Sequence, residues 1–326
     1  MATHGGAASR PSDVSEVSPI DDAGSGAGDT QEFNDFFDNP SDDTGSTGGG
    51  GGSKDTGSGG GGGTGGGGSD CVDRAKIIYL VSKENVLLNF NPDTKTIKKI
   101  GTLNCPAPFG STPFSMAVDR QANAYVLYQT GLGSGAGMFK VSTLDASCQK
   151  TAYIPNSKGL QVFGMAFSAD APGAVTEQLF VAGGGSGGFF SGPNKLAIID
   201  LKTFQLQPLA KLNPVASGVD LSGNGNGELW GFFTSTKPPS VRQIDKQTAT
   251  TVSSLPLAGA DFAGISSWAF ASWGGDFFLF SRNGLQASTV VHRLDQSGNA
   301  TKVVPALGYT IVGAGVSSCA PTKPAP

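Results

Sequence analysis

The sequence predicts an all-β chain whose ordered part is a five-bladed β-propeller closed by its C-terminal strand and preceded by a disordered, Gly- and Asp-rich tail. Three observations carry this. A small-apolar-small-apolar segment occurs five times, at Ser115-Met116-Ala117-Val118, Gly164-Met165-Ala166-Phe167, Gly218-Val219-Asp220-Leu221, Ser267-Trp268-Ala269-Phe270 and Gly313-Ala314-Gly315-Val316. Aromatic residues inside apolar runs recur at Tyr79, Tyr125, Phe180, Trp230 and Phe278, at intervals of 46, 55, 50 and 48 residues. Short β-branched and aromatic runs alternate with Gly, Pro, Asn and Asp from Ile77 onward, with no helical period.

The first repeated segment suits an innermost strand, because only small side chains let five strands crowd around one axis. The aromatic segment is then the second strand. A third ends in an apolar residue followed by a turn former, at Phe90-Asn91, Val141-Ser142, Ile199-Asp200, Ile244-Asp245 and Leu294-Asp295. A fourth strand follows each, as in Thr96 to Leu103 or Thr301 to Leu307. The first copy lacks an innermost strand and the last copy, Thr310 to Ser317, is nothing else. The two ends therefore complete one blade and leave no open sheet edge.

Glycine and charge divide the chain near residue 70. Of 26 acidic and 22 basic side chains, 12 acids and only Arg10 and Lys54 fall in the first 70 residues, which leaves 14 acidic and 20 basic in the rest. The near-continuous glycine run from Gly48 to Gly68 buries too little apolar surface to offset the entropy of ordering it. Residues 1–70 are expected to be a disordered acidic tether, 71–321 the propeller and 322–326 a short disordered tail. The tether is read as a solvated tail or, through the aromatic and acidic cluster from Glu32 to Asp38, as a docking segment.

Ring closure makes a cysteine prediction. Cys71 precedes the second strand of the shared blade and Cys319 follows its innermost strand, so both fall on one face of the disc and should bond. Cys105 and Cys148 are left to pair, although simple topology sets them toward opposite faces and only the twist of outer strands could join them. None has the CxxC spacing of a zinc site.

Catalytic groups are scarce at the axis. The third position of the innermost strand reads Ala117, Ala166, Asp220, Ala269 and Gly315, so Asp220 alone puts a charge there. It reads either as a ligand for a cation, water or substrate hydroxyl, or as a buried carboxylate held by backbone N–H groups. The run Asp220, Ser222, Asn224, Gly225 resembles the start of a calcium loop, but Gly231 stands where the final Glu would be, so no cofactor is expected and calcium is only a remote alternative. His292, the one histidine after residue 70, lies mid-strand away from the axis, which argues against a Ser/His/Asp triad. Asp119, Asp170 and Asp276 could be proposed as glycosidase carboxylates but fall at hairpin turns.

The face with the blade-to-blade connections and the loops between second and third strands holds the longest loops. Phe109, Phe189, Phe190 and Phe262 lie there and either present rings to a sugar or peptide or anchor the loops on the blades. Lys237, Arg242 and Arg282 make no nucleic-acid patch. No apolar run is long enough to span a membrane. The N-terminus lacks the basic start and apolar core of a signal peptide and Cys71 lacks a lipoprotein motif, so any export signal or anchor is expected upstream of this chain.

The segments PFSMAVDR at 113–120, VSTLDASC at 141–148, VFGMAFSADAPG at 162–173 and IVGAGVSSCAP at 311–321 resemble uncharacterised glycine-tethered secreted or lipoprotein β-propellers of myxobacteria. That resemblance covers residues 71–321 and implies an extracellular or cell-envelope location and no established catalysis. At fold level the chain is also similar to propeller repeats of the NHL and lactonase type. The expectation is a monomeric, surface-tethered propeller that binds a glycan or protein without catalysis. The alternative is a propeller hydrolase or lactonase with its site near Asp220.

Overall fold

The computed structural model describes residues 71–131, 133–184 and 194–324. Twenty strands form five antiparallel sheets of four, the blades of a propeller. Strands β1 (Ile78–Ser82), β2 (Val86–Asn91) and β3 (Thr96–Thr102) belong to the shared blade. The second blade holds β4 (Thr112–Val118), β5 (Asn123–Gln129), β6 (Gly135–Ser142) and β7 (Cys148–Lys150). The third holds β8 (Phe163–Ala169), β9 (Glu177–Gly183), β10 (Lys195–Ile199) and β11 (Leu206–Lys211). The fourth runs through β12 (Val219–Gly223), β13 (Leu229–Phe233), β14 (Ser240–Ile244) and β15 (Thr251–Pro256). The fifth is β16 (Ile265–Trp273), β17 (Asp276–Asn283), β18 (Val290–Leu294) and β19 (Ala300–Val304). The final strand, β20 (Ile311–Gly315), returns to the first sheet and pairs with β1, Leu80 opposite Ala314 and Val81 opposite Gly313. Closure by the C-terminal strand is therefore as the sequence predicts.

The five repeated small-residue segments fall on the innermost strands. A Cβ added at Gly313 would lie 2.8 Å from the Met116 backbone nitrogen, and one at Gly164 would lie 2.5 Å from Asp220 Cα. Crowding of backbone on backbone at the axis, more than β propensity, dictates the small residues. The five aromatics of the second strands are buried between blades, where edge-to-face and tilted ring pairs such as Phe90–Phe278 and Tyr125–Phe167 fill the wedge-shaped gaps.

Each third strand ends in a side-chain-capped turn. Asn91, Asp200, Asp245 and Asp295 each accept two backbone N–H groups on Oδ1, and Ser142 Oγ accepts that of Leu144. These bonds hold the Asp200, Asp245 and Asp295 carboxyls below their ordinary pKa.

Two disulfides join the four cysteines. Cys71 and Cys319 are bonded with Cα atoms 5.8 Å apart, on the face where inner strands end, which we term the seam face. Cys105 and Cys148 are also bonded, their Cα atoms 5.0 Å apart. Twist resolves the conflict that strand counting posed for this second pair. It swings the end of β3 against the β6–β7 turn, so closely that a Cβ on Gly101 would be 2.9 Å from Ala146 Cβ.

Candidate functional site

All five inner strands start on the face opposite the seam, where the blade-to-blade connections and the loops between second and third strands also emerge. There the axis opens into a cavity of about 420 Å³. Its floor is the beginning of the inner strands, including Ser115, Gly164, Asp220 and Ser267, and its walls carry Phe114, Trp268, Gln129, Lys83 and Arg282. Lys83 lies in the turn between β1 and β2, and Arg282 near the end of β17, so both cations come from loop-side positions of adjacent blades.

Asp220 is the one carboxyl among the described residues lining this mouth. It is only 4% exposed. Oδ2 accepts the Phe270 N–H at 3.2 Å, and the N–H groups of Leu221 and Met165 also bond to the carboxyl. One side chain thus ties together the third, fourth and fifth blades. Burial raises its pKa well above the ordinary carboxylate value, opposed by the three backbone bonds. Gly164 makes the arrangement possible, since a Cβ there would also meet Asp220 Oδ1 at 2.7 Å. Gly164→Ala is accordingly expected to cost about 1–3 kcal/mol of stability, read as a lower urea midpoint with unchanged slope. A midpoint equal to that of the wild type would show that the axis is looser than described.

Two hydroxyls on the floor behave differently. Ser267 Oγ donates to Ile311 O at 2.5 Å, whereas Ser115 Oγ is buried with no hydrogen-bond partner. Arg282 Nε donates to Gln286 O at 2.8 Å, which fixes the side chain on its own loop.

The ring residues expected on this face are divided by the structure. Phe109 is fully exposed in the connection between β3 and β4. Phe262 is instead buried, its ring centroid 4.9 Å from that of His292, so it anchors a loop and presents no ring to solvent. Phe189 and Phe190 lie outside the described residues. The mouth itself is walled by Phe114 and Trp268, at or beside the repeated inner-strand segment and not in the long loops.

The other acidic candidates lie at the seam face. Asp119 Oδ1 accepts the backbone N–H groups of Gln121 and Asn123, Asp170 pairs with the Gln178 amide, and Asp276 is ion-paired to Arg293 at 2.5 Å. Ser222 Oγ accepts the Ser272 N–H at 2.8 Å, and Asn224 Oδ1 accepts the N–H groups of Asn226 and Glu228. The calcium-like run is therefore the end of β12 and its hairpin turn. Among the described residues no group of three or more His, Cys, Asp or Glu side chains converges on one point.

His292 Nε2 lies 3.0 Å from Asp261 Oδ2, which also pairs with Lys302 at 2.9 Å. Burial lowers the His292 pKa, opposed by Asp261. A cluster that sequence reasoning missed sits beside the seam: Glu177 accepts the Arg120 N–H at 2.9 Å and the Ser318 hydroxyl at 2.6 Å, while Arg120 Nη1 donates to Ser318 Oγ at 2.9 Å. Its members come from three blades and share no motif.

No protein-family description matches the chain, and no curated protein does. Among solved structures it is similar to a protein of unknown function from Bacteroides caccae, at 13% identity and a TM-score of 0.42, over 74% of this chain and 98% of that one. It is also similar to TolB from Acinetobacter baumannii, at 12% identity and a TM-score of 0.41, over 70% of this chain and 52% of that one. A streptogramin B lyase shares 12% identity at a TM-score of 0.39, over 73% and 68% of the two chains. All three are β-propellers. The chain spans about half the length of TolB.

Proposed function

We propose that the chain is a non-enzymatic binding propeller of the extracellular space or cell envelope, acting as a monomer, which takes a glycan or protein ligand at its axial mouth. The observation that carries this reading is the mouth itself: an open cavity of about 420 Å³ with rings and two cations on its walls. Its single carboxyl is buried and bonded to backbone. Few, placed polar groups in a concave, partly aromatic site suit recognition. The two disulfides favour an oxidising compartment, and the likeness to glycine-tethered envelope propellers agrees with it.

The test is an array of glycans and cell-wall fragments probed with the full chain and with Ser266→Trp, a change at an exposed rim position. Binding to a subset of ligands, abolished by the tryptophan, is expected. Binding that survives in the variant would falsify the reading, and no binding anywhere on the array would overturn its glycan form. The alternative is a hydrolase or lactonase in which the raised carboxyl of Asp220 serves as a general acid. That reading requires turnover of an arrayed compound that Asp220→Asn abolishes.

A further inference from the structure

Apart from Asp220, the charged side chains lining the mouth are Lys83 and Arg282. Lys83 and Arg282 form no ion pair within the described residues, and Glu84, beside Lys83, is turned to the Thr310 N–H. Arg282 spends Nε on Gln286 O, and among the described residues its two Nη groups have no hydrogen bond. The Asp220 carboxyl is taken up by three backbone N–H groups, is 4% exposed and forms no ion pair among the described residues. Ser115 also lines the cavity, its own hydroxyl being buried and closed to a ligand. The cavity volume is that of a one- or two-ring ligand.

We infer that the mouth selects a carboxylate-bearing saccharide, a uronic acid residue of an acidic glycan, with the carboxylate on Arg282 and Lys83 and a sugar face toward Phe114. This rests on the reading of the mouth as the ligand site. The planar fork of an arginine matches a carboxylate in two parallel bonds, and lysine adds a point charge. A neutral sugar would leave both cations unanswered.

The test uses matched saccharides differing only in a C6 carboxylate against a C6 hydroxymethyl group, cellobiouronate with cellobiose and oligogalacturonate with its neutral counterpart. They are titrated against the full chain, Lys83→Gln, Arg282→Gln and Ser266→Trp. At low salt the acidic member of a pair should bind about tenfold or more tightly than the neutral one, and the preference should shrink as salt rises. Either glutamine variant should remove the preference, so that the acidic and neutral members of a pair bind alike. Lys83 is exposed, so its variant remains informative if Arg282→Gln does not fold. Equal binding of both members of a pair, lost in Ser266→Trp, would overturn the acidic specificity while leaving the mouth as a binding site. Binding of neither member, or acidic binding that persists in Ser266→Trp, would overturn both.

Discussion

Replacing Cys71 and Cys319 together by serine is expected to lower the unfolding free energy by about 5 kcal/mol. The bridge closes a loop with a sequence separation of 248, and in the loop-entropy model the stabilisation grows with the logarithm of that length. The Cys105–Cys148 bridge, with a separation of 43, should be worth about 4 kcal/mol by the same relation. Without the seam bridge, the hydrogen bonds between β20 and β1 and that from Ser317 Oγ to Ala75 O still hold the ring, so the variant should fold and then fray at its ends. For a domain of this size, 5 kcal/mol corresponds to a fall of roughly 10–20 °C in Tm. Calorimetry of the double serine variant decides it: a Tm within about 2 °C of the wild type would mean that the ring closes without help from the bridge.

The second large effect is a dependence of stability on pH set by Glu177. Burial pushes its pKa up to about 7, with the bonds from Ser318 and Arg120 pulling the other way. The folded value lies above the unfolded one, so the native state holds a proton between about pH 4.5 and 7 that the unfolded chain has released. Stability contributed by this group is therefore full below about pH 4.5 and is lost as pH rises to about 7, a change on the order of 3 kcal/mol. Asp220 shifts in the same direction and adds to the slope. The turn aspartates shift downward, and their contribution is lost only in the more acidic range below the ordinary aspartate pKa. Urea midpoints should fall between pH 5 and 7.5 in the wild type, and Glu177→Gln should flatten most of that slope and gain stability at pH 7.5. Midpoints that do not move with pH in the wild type would sink this account, as would an unchanged slope in the variant.

Features of this fold that every blade must satisfy were legible in advance. Five inner strands meet at one axis, so each excludes bulk and writes the same small-residue motif. Each third strand turns back at the same place, so Asn91, Asp200, Asp245 and Asp295 recur at the same offset. The seam disulfide followed because closure brings specific ends together. What was hidden belongs to single loops or to geometry between blades. Lys83 and Arg282 lie at corresponding edges of adjacent blades, yet nothing in the repeat marks them. Phe262 reads like any loop aromatic, and only the pocket beside His292 shows that it is packed inward. The pairing of Cys105 with Cys148 depends on how far an outer strand twists, which residue spacing does not encode. Glu177, Arg120 and Ser318 meet only because three blades converge at the seam face.

Both ends of the described chain, Cys71 and the segment after Cys319, lie on the seam face, and the mouth opens on the other. A resin, a biotin or a bilayer anchor joined directly to the segment after Cys319 therefore holds the disc by its back. Coupling through that end should leave the cavity pointed toward the medium, and a biosensor surface built that way should retain the full binding capacity of the free protein.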